Sequence, residues 1–374
     1  MLVRLNNAPR PFGWGSEHLI ADLMGRPAAG PEAEVWFGDH PADPADVEDG
    51  TGRTLDAWIR DETGGERLPY LLKILAARQS LSIQAHPTRE QAREGYAAER
   101  GLPADAPHNY ADDNHKPEMI VSLCDEFVAL CGLRDIARTR ELLAGLGEAA
   151  APLYERIVDD ASLADAIGWL LSGRAQHVVD AISDALADAV SDAFGAEFDN
   201  ARRNAADFPG DPGIVVGLLM NLKTLGYGEA LFLRAGQLHA YQSGIGIEIM
   251  AASDNVMRGG LTPKHIDVAE LMRVLEPVSG DVSLVEPVPV ERGFDEYPVD
   301  IDDFRLLRAR LGADGTAAAA LAGPAIVLSV SGSARVAAGS ASIDITPGAA
   351  AFVSGEESVE ITGSGEVFLA QPGG

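Results

Sequence analysis

The chain has 374 residues, 46% of them hydrophobic, with 57 acidic residues against 29 basic and a formal net charge of −28. At roughly 100–200 residues per domain, that length and apolar fraction give two or three domains with filled cores and exclude a disordered chain. The charge disfavours nucleic acid and anionic membrane as partners, and no stretch offers the roughly 18 uninterrupted apolar residues that a membrane span needs. The N-terminal MLVRLNNAPRP lacks the apolar core of a secretory signal, so a cytoplasmic protein is expected.

Residues 1–133 read as short strands and turns, with YLLKILAA and LSIQAHP as the clearest extended runs. In LSIQAHP, alternation puts Leu81, Ile83 and Ala85 on one face and Ser82, Gln84 and His86 on the other. The two cysteines, Cys124 and Cys131, form no C-x-x-C pair and are expected to be reduced thiols. From 134 to 228 the pattern becomes helical. In HVVDAISDALADAVSDAFGAEF, Val178, Ile182, Leu186, Val190, Phe194 and Phe198 recur every four residues, with Asp180, Asp184, Asp188 and Asp192 on another face. That spacing predicts one long amphipathic helix with a solvated acidic side. Strands return in EALFLRAGQLHAY and GIGIEIMAASDN, followed by a short helix in DVAELMRVL. From about 291 onward, β-branched runs separated by Gly and Pro suggest a small β-sandwich or barrel, and this unit contains no His.

Polar residues concentrate at four places: Ser82, Gln84 and His86; Lys116 and Glu118 in DDNHKPEM; His239 and Tyr241 in GQLHAY; and Glu248, Arg258, Lys264 and His265 further on. Two imidazoles, a carboxylate and an amide oxygen (His86, His239, Glu118, Gln84) would suit Zn²⁺ or a similar divalent ion. The alternative is a hydrogen-bonded structural His86. Of the 29 basic residues only four are lysines, Lys73, Lys116, Lys223 and Lys264. A chain that otherwise chooses Arg keeps Lys where a compact charge is useful. Arg258, Lys264 and Lys116 beside the possible ligands suit an anionic substrate, although Arg258 could equally be a turn residue and Lys264 a helix-start residue.

The segments LLKILAARQSLSIQAHP, DDNHKPEM and EALFLRAGQLHAYQSGIGIEIMAASDNVMRGGLTPKHIDV, with GWGS and AEVWFGDHP before them, closely resemble the type I phosphomannose isomerases. The resemblance implies a mixed β and α fold. A cupin-type β-barrel (jelly-roll) catalytic domain would comprise 1–133 and 229–290, with an inserted helical domain over 134–228 and a C-terminal cupin-like β domain over 291–374. It implies one Zn²⁺ held through Gln84, His86, Glu118 and His239, and a monomer is expected. Ser82, Lys116, Glu248, Arg258 and Lys264 would line the substrate pocket, with Trp14, Lys73 and Tyr241 as wall or supporting residues. The implied reaction interconverts mannose 6-phosphate and fructose 6-phosphate through an enediol, which needs a base. Glu248, set opposite Ile245, Ile247 and Ile249 by strand alternation, is the favoured base; a role as ion-pair partner of Arg258 or Lys264 is the alternative. Arg258 acts near the reacting centre or on the phosphate. Two rival classes remain: a phosphosugar-binding regulator without turnover, and a metal-dependent cupin oxygenase.

Overall fold

The computed structural model describes residues 1–65, 67–103 and 106–373. The fold is mixed α and β, and the described residues form two antiparallel sheets of nine strands each. Through the first sheet runs the long strand His239–Ala251. It pairs with Tyr70–Ala77 and Glu118–Ser122 along its second half, and with Gln84–Ala85 and Phe127–Leu133 along its first. The second sheet is built on Arg305–Ala320, Ser358–Gln371 and Ala325–Ala338.

Strand alternation fixes what each face of the first sheet does. Val35, Phe37, Leu72, Ile74, Met119, Val121, Ile245, Ile247 and Ile249 form one core with Leu306, Ile326, Leu328, Phe352 and Phe368 of the second sheet. Each such side chain, fully buried, contributes about 1.5–3 kcal/mol. The opposite face carries Lys73 against Glu248 and Glu118 against Met250 in register, so its polar groups point away from that core. Helices then cover the outer side of the Gln84–Ala85 region, where Ile83, Ala85, Leu238 and Ala240 join the helical core.

Several elements differ from the sequence reading. Arg89–Glu99 is a helix within the stretch read as strands and turns. It buries only Ala92, so it carries almost no apolar period, and a Thr88/Gln91 capping box starts it. The single helix expected over 178–198 is two, Gln176–Asp188 and Gly195–Asp207. Ala189 turns extended, Val190 is 91% exposed, and Ser191 Oγ accepts from the Phe194 amide to start the next segment. Met220–Leu225, inside the range read as helical, is a strand on Phe127–Leu133. The first strand, Leu2–Asn6, pairs with Ala350–Val353 and so belongs to the C-terminal sheet. In LSIQAHP only Gln84–Ala85 is regular strand, and Leu81 packs toward Tyr241 rather than with Ile83 and Ala85. No helix among the described residues is long and apolar enough to cross a membrane.

Candidate metal centre and active site

His86, Glu118 and His239 converge from three strands or strand ends, with one ligand atom from each within 4.8 Å of the others. All three are 1–2% exposed. His86 Nε2 lies 3.3 Å from one Glu118 oxygen, and His239 Nε2 lies 3.3 Å from the other. The opposite ring nitrogens are committed: Nδ1 of His86 donates to the Asn255 carbonyl at 2.6 Å, and Nδ1 of His239 to the Gln237 carbonyl at 3.0 Å. Each imidazole therefore turns a lone pair, not a proton, toward Glu118. Burial pushes the His86 imidazole down to about 4, with Glu118 opposing, which favours that neutral form near pH 7.

Two imidazole nitrogens and one carboxylate oxygen, Glu118 Oε2, are thus buried acceptors without a hydrogen-bond partner among the described residues. Buried polar atoms are almost always satisfied. Three that converge with only lone pairs to offer are the environment a divalent cation completes, and backbone carbonyls on the far nitrogens are the usual orienting partners of metal-bound histidines. Burial works against the Glu118 charge, but Lys116 Nζ at 2.8 Å pulls the other way, and the carboxyl is held well below its ordinary range. Gln84 stands opposite His239 on one side and Arg258 on the other, and directly opposed residues share a face, so the amide belongs to the same wall.

A β-bulge makes this wall possible. His239 and Glu248 are nine residues apart, and unbroken alternation would put them on opposite faces. Between Tyr241 and Ser243 the long strand gains one residue, Gln242, against Ala129 and Val128. The extra residue resets the alternation, so His239, Tyr241 and Glu248 face the same side. Gly244 follows at φ +118°, and a Cβ there would lie 2.7 Å from the Phe127 ring.

Glu248 is buried and accepts from Lys73 Nζ at 2.9 Å, with Glu34 3.7 Å from the same ammonium. The sequence reading offered Arg258 or Lys264 as its ion-pair partner; the partner is Lys73, its direct cross-strand neighbour. Burial, with Glu118 and Glu34, raises the Glu248 carboxyl above its ordinary range against the pull of Lys73. Burial opposes the Lys73 charge too, but Glu248 and Glu34 outweigh it and keep the ammonium charged. Tyr241 is buried, and its hydroxyl faces Glu248 without a well-formed hydrogen bond among the described residues. Trp14 is half-buried, stacked on Phe12 and packed beside that tyrosine's cluster.

Arg258 is half-buried, and among the described residues no acidic partner contacts it; burial alone lowers its pKa. It lines a cleft of about 200 Å³ with His108, Asn109, His265 and Asp267. Ser82 is half-buried in the approach to Gln84, while Lys264 is exposed in the turn after Gly260 and forms no ion pair among the described residues. The structure thus gathers Gln84, His86, Glu118, His239, Lys116, Lys73, Glu248 and Tyr241, and leaves Lys264 outside the buried group.

Sequence reasoning missed several supporting residues. Asn255 is fully buried: its carbonyl fixes His86, its Oδ1 accepts from the Ala111 amide, and its Nδ2 donates to the Asp112 and Asn114 carbonyls. It therefore locks the DDNHKPEM loop to the histidine. Glu34 and Trp36, within AEVWFGDHP, sit beside Lys73, and His40 of the same stretch meets the Trp36 ring edge-on: Trp36 donates to Glu34 at 2.9 Å, and Lys73 lies 5.0 Å from the indole centroid. His40 Nε2 contacts Asp254 at 3.2 Å. Alternation within AEVWF could have placed Glu34 and Trp36 on one face.

A family model for the catalytic domain of type I phosphomannose isomerase matches residues 2–136. The mannose-6-phosphate isomerase of Escherichia coli K12 is 32% identical over 326 residues, 81% of this chain and 82% of its own length. That of Schizosaccharomyces pombe is 32% identical over 383 residues, 89% of each. A histidine-to-alanine variant of phosphomannose isomerase from Salmonella typhimurium superposes with a TM-score of 0.90 at 29% identity, covering 100% of this chain and 99% of that one. A mannose 6-phosphate isomerase structure bound with zinc and yttrium matches over the same shares with a TM-score of 0.88 at 29% identity. The chain belongs to the type I phosphomannose isomerase family and shares its activity on mannose 6-phosphate.

Proposed function

We propose that this chain interconverts mannose 6-phosphate and fructose 6-phosphate through an enediol, with one Zn²⁺ held by His86, Glu118, His239 and Gln84. The observation that carries the metal is the set of three buried acceptors, His86 Nε2, His239 Nε2 and Glu118 Oε2, left without partners. When bound, the ion supplies a Lewis acid that favours negative charge developing on sugar oxygens. Lys116 Nζ pairs with Glu118 Oε1 at 2.8 Å and leaves Oε2 for the ion.

Glu248 moves the proton between C2 and C1. Its burial and neighbouring carboxylates lift its basicity, while Lys73 opposes that rise and fixes its position. Arg258, whose charge no carboxylate meets among the described residues, receives the phosphate with Ser82 and the more exposed Lys264. Trp14 and Tyr241 form the apolar wall against the sugar. The first sheet is the cupin-type catalytic unit, and the zinc-bound relative supports the choice of metal.

Turnover in D₂O with the product followed by NMR tests the proton path. The wild type places solvent deuterium at the transferred position over many turnovers. Glu248→Gln retains its metal and loses about 10²–10⁴-fold in kcat. A Glu248→Gln enzyme with undiminished kcat contradicts the base assignment, and product free of solvent deuterium after many turnovers contradicts exchange of the transferred proton with solvent.

A further inference from the structure

The bulge residue Gln242 is gripped from outside the active site. Its Oε1 accepts from Asn200 Nδ2 at 3.1 Å and from Asn204 Nδ2 at 2.9 Å, both on the helix Gly195–Asp207. Its Nε2 donates to Ser80 Oγ at 2.7 Å, and Ser80 Oγ in turn donates to the Leu81 carbonyl at 2.8 Å. Next to it, the Leu81 amide donates to the Tyr241 carbonyl at 2.9 Å. All four side chains, Ser80, Asn200, Asn204 and Gln242, are at most 5% exposed. None of them touches His86, Glu118, His239 or Glu248 through a hydrogen bond.

The placement of this network matters more than its strength. Gln242 is the residue whose insertion turns His239 and Tyr241 to the same face as Glu248. Ser80 begins the segment that runs through Ser82 and Gln84 to His86. One amide therefore ties together the two chain segments that carry Gln84 and His86 on one side and His239 on the other, and two asparagines from the helical segment hold that amide. A bulge residue needs no such grip merely to be buried, because an apolar side chain could fill the same volume without leaving polar groups to satisfy.

We infer that Gln242 is a positioning residue for the metal centre, clamped by Asn200 and Asn204, so that the helical segment sets the geometry between the His86 and His239 strands. This rests on the metal reading above. Small misplacement of a preorganised site costs far more rate than stability, and supporting partners of metal ligands commonly contribute about 10–100-fold to metal affinity or activity.

The test compares the full chain with Gln242→Met, which keeps the volume and removes the amide, and with Asn204→Ser, which removes one arm from outside the sheet. Metal-free protein is titrated with Co²⁺ and followed by its visible absorption, kcat and KM are measured after metal loading, and circular dichroism and thermal midpoints establish folding. The expected result for Gln242→Met is an altered Co²⁺ spectrum, about tenfold weaker Co²⁺ binding and about tenfold lower kcat, with KM within about twofold. Asn204→Ser should show the same pattern at smaller amplitude, and it decides the matter if Gln242→Met does not fold. Folded variants with lowered thermal midpoints but wild-type spectrum, affinity and kcat would overturn the inference and leave the network a structural one. Failure of the wild type to bind Co²⁺ would contradict the metal reading instead, and the kcat comparison would still decide whether Gln242 positions the site.

Discussion

The two sheets are built alike, from antiparallel strands joined by Gly and Pro turns, yet they treat buried charge differently. In the C-terminal sheet Arg308 and Glu366 meet in a two-pronged pair at 2.7 and 3.1 Å, with Tyr227 and Tyr297 satisfying the remaining groups. Both charged groups are paired within the protein. In the first sheet Lys73, Glu34, Glu248, Lys116 and Glu118 are also buried, but beside them His86, His239, Glu118 and Tyr241 keep polar atoms with no hydrogen-bond partner among the described residues. Buried charge by itself is therefore a poor mark of function in this molecule. What distinguishes the active sheet is convergent unmet capacity, the condition that a bound cation or substrate relieves.

Substitutions that treat the two sheets in parallel sharpen that contrast. The largest effect is expected from Glu118→Ala, which removes the only carboxylate among the three convergent ligands. It should lose bound metal and at least about 10²-fold in kcat/KM, since supporting residues alone contribute up to that amount. Metal analysis beside the coupled isomerase assay checks it. Next comes a matched pair, Lys73→Met and Arg308→Met, each of which strands a buried carboxylate and should cost about 3–5 kcal/mol in urea unfolding. Only Lys73→Met should depress kcat as well; the same kcat loss in both would erase the distinction between the sheets. Asn255→Ala leaves the His86 contact to backbone but frees the loop that provides it. About tenfold weaker Zn²⁺ binding, read by competition with a chelating dye, is expected there. The smallest effect belongs to the shared core: Ile249→Val and Ile326→Val, on facing sheets, should each cost about 0.5–1.5 kcal/mol and leave turnover unchanged.

Much of the site was legible in the sequence because it obeys local rules. Glu248 opposite Ile245, Ile247 and Ile249, and Lys116 with Glu118 two apart, follow from strand period alone. Other features depend on information that no local window holds. Nothing in LVRLN says that it will pair with Ala350–Val353, more than 340 residues away. The helix Arg89–Glu99 has too little apolar surface to print a period, and the break at Ala189 falls within an apolar repeat that continues on paper through Val190. Arg258 and Lys264, the ion-pair partners offered for Glu248 as the alternative to its role as base, lie nearby in sequence, whereas Lys73 is its neighbour only across the sheet. The bulge at Gln242 was equally hidden, since it is defined by pairing with Ala129 and Val128 and not by any residue type.

The central claim is that the three unpartnered acceptors hold a metal on which activity depends. The most direct test strips the protein with a chelator, verifies the loss by elemental analysis, and assays conversion of mannose 6-phosphate to fructose 6-phosphate before and after one equivalent of Zn²⁺ is restored. The account predicts activity that vanishes with the metal, returns at one Zn²⁺ per chain, and does not return in Glu118→Ala. Full activity in folded protein shown to be free of metal would contradict it.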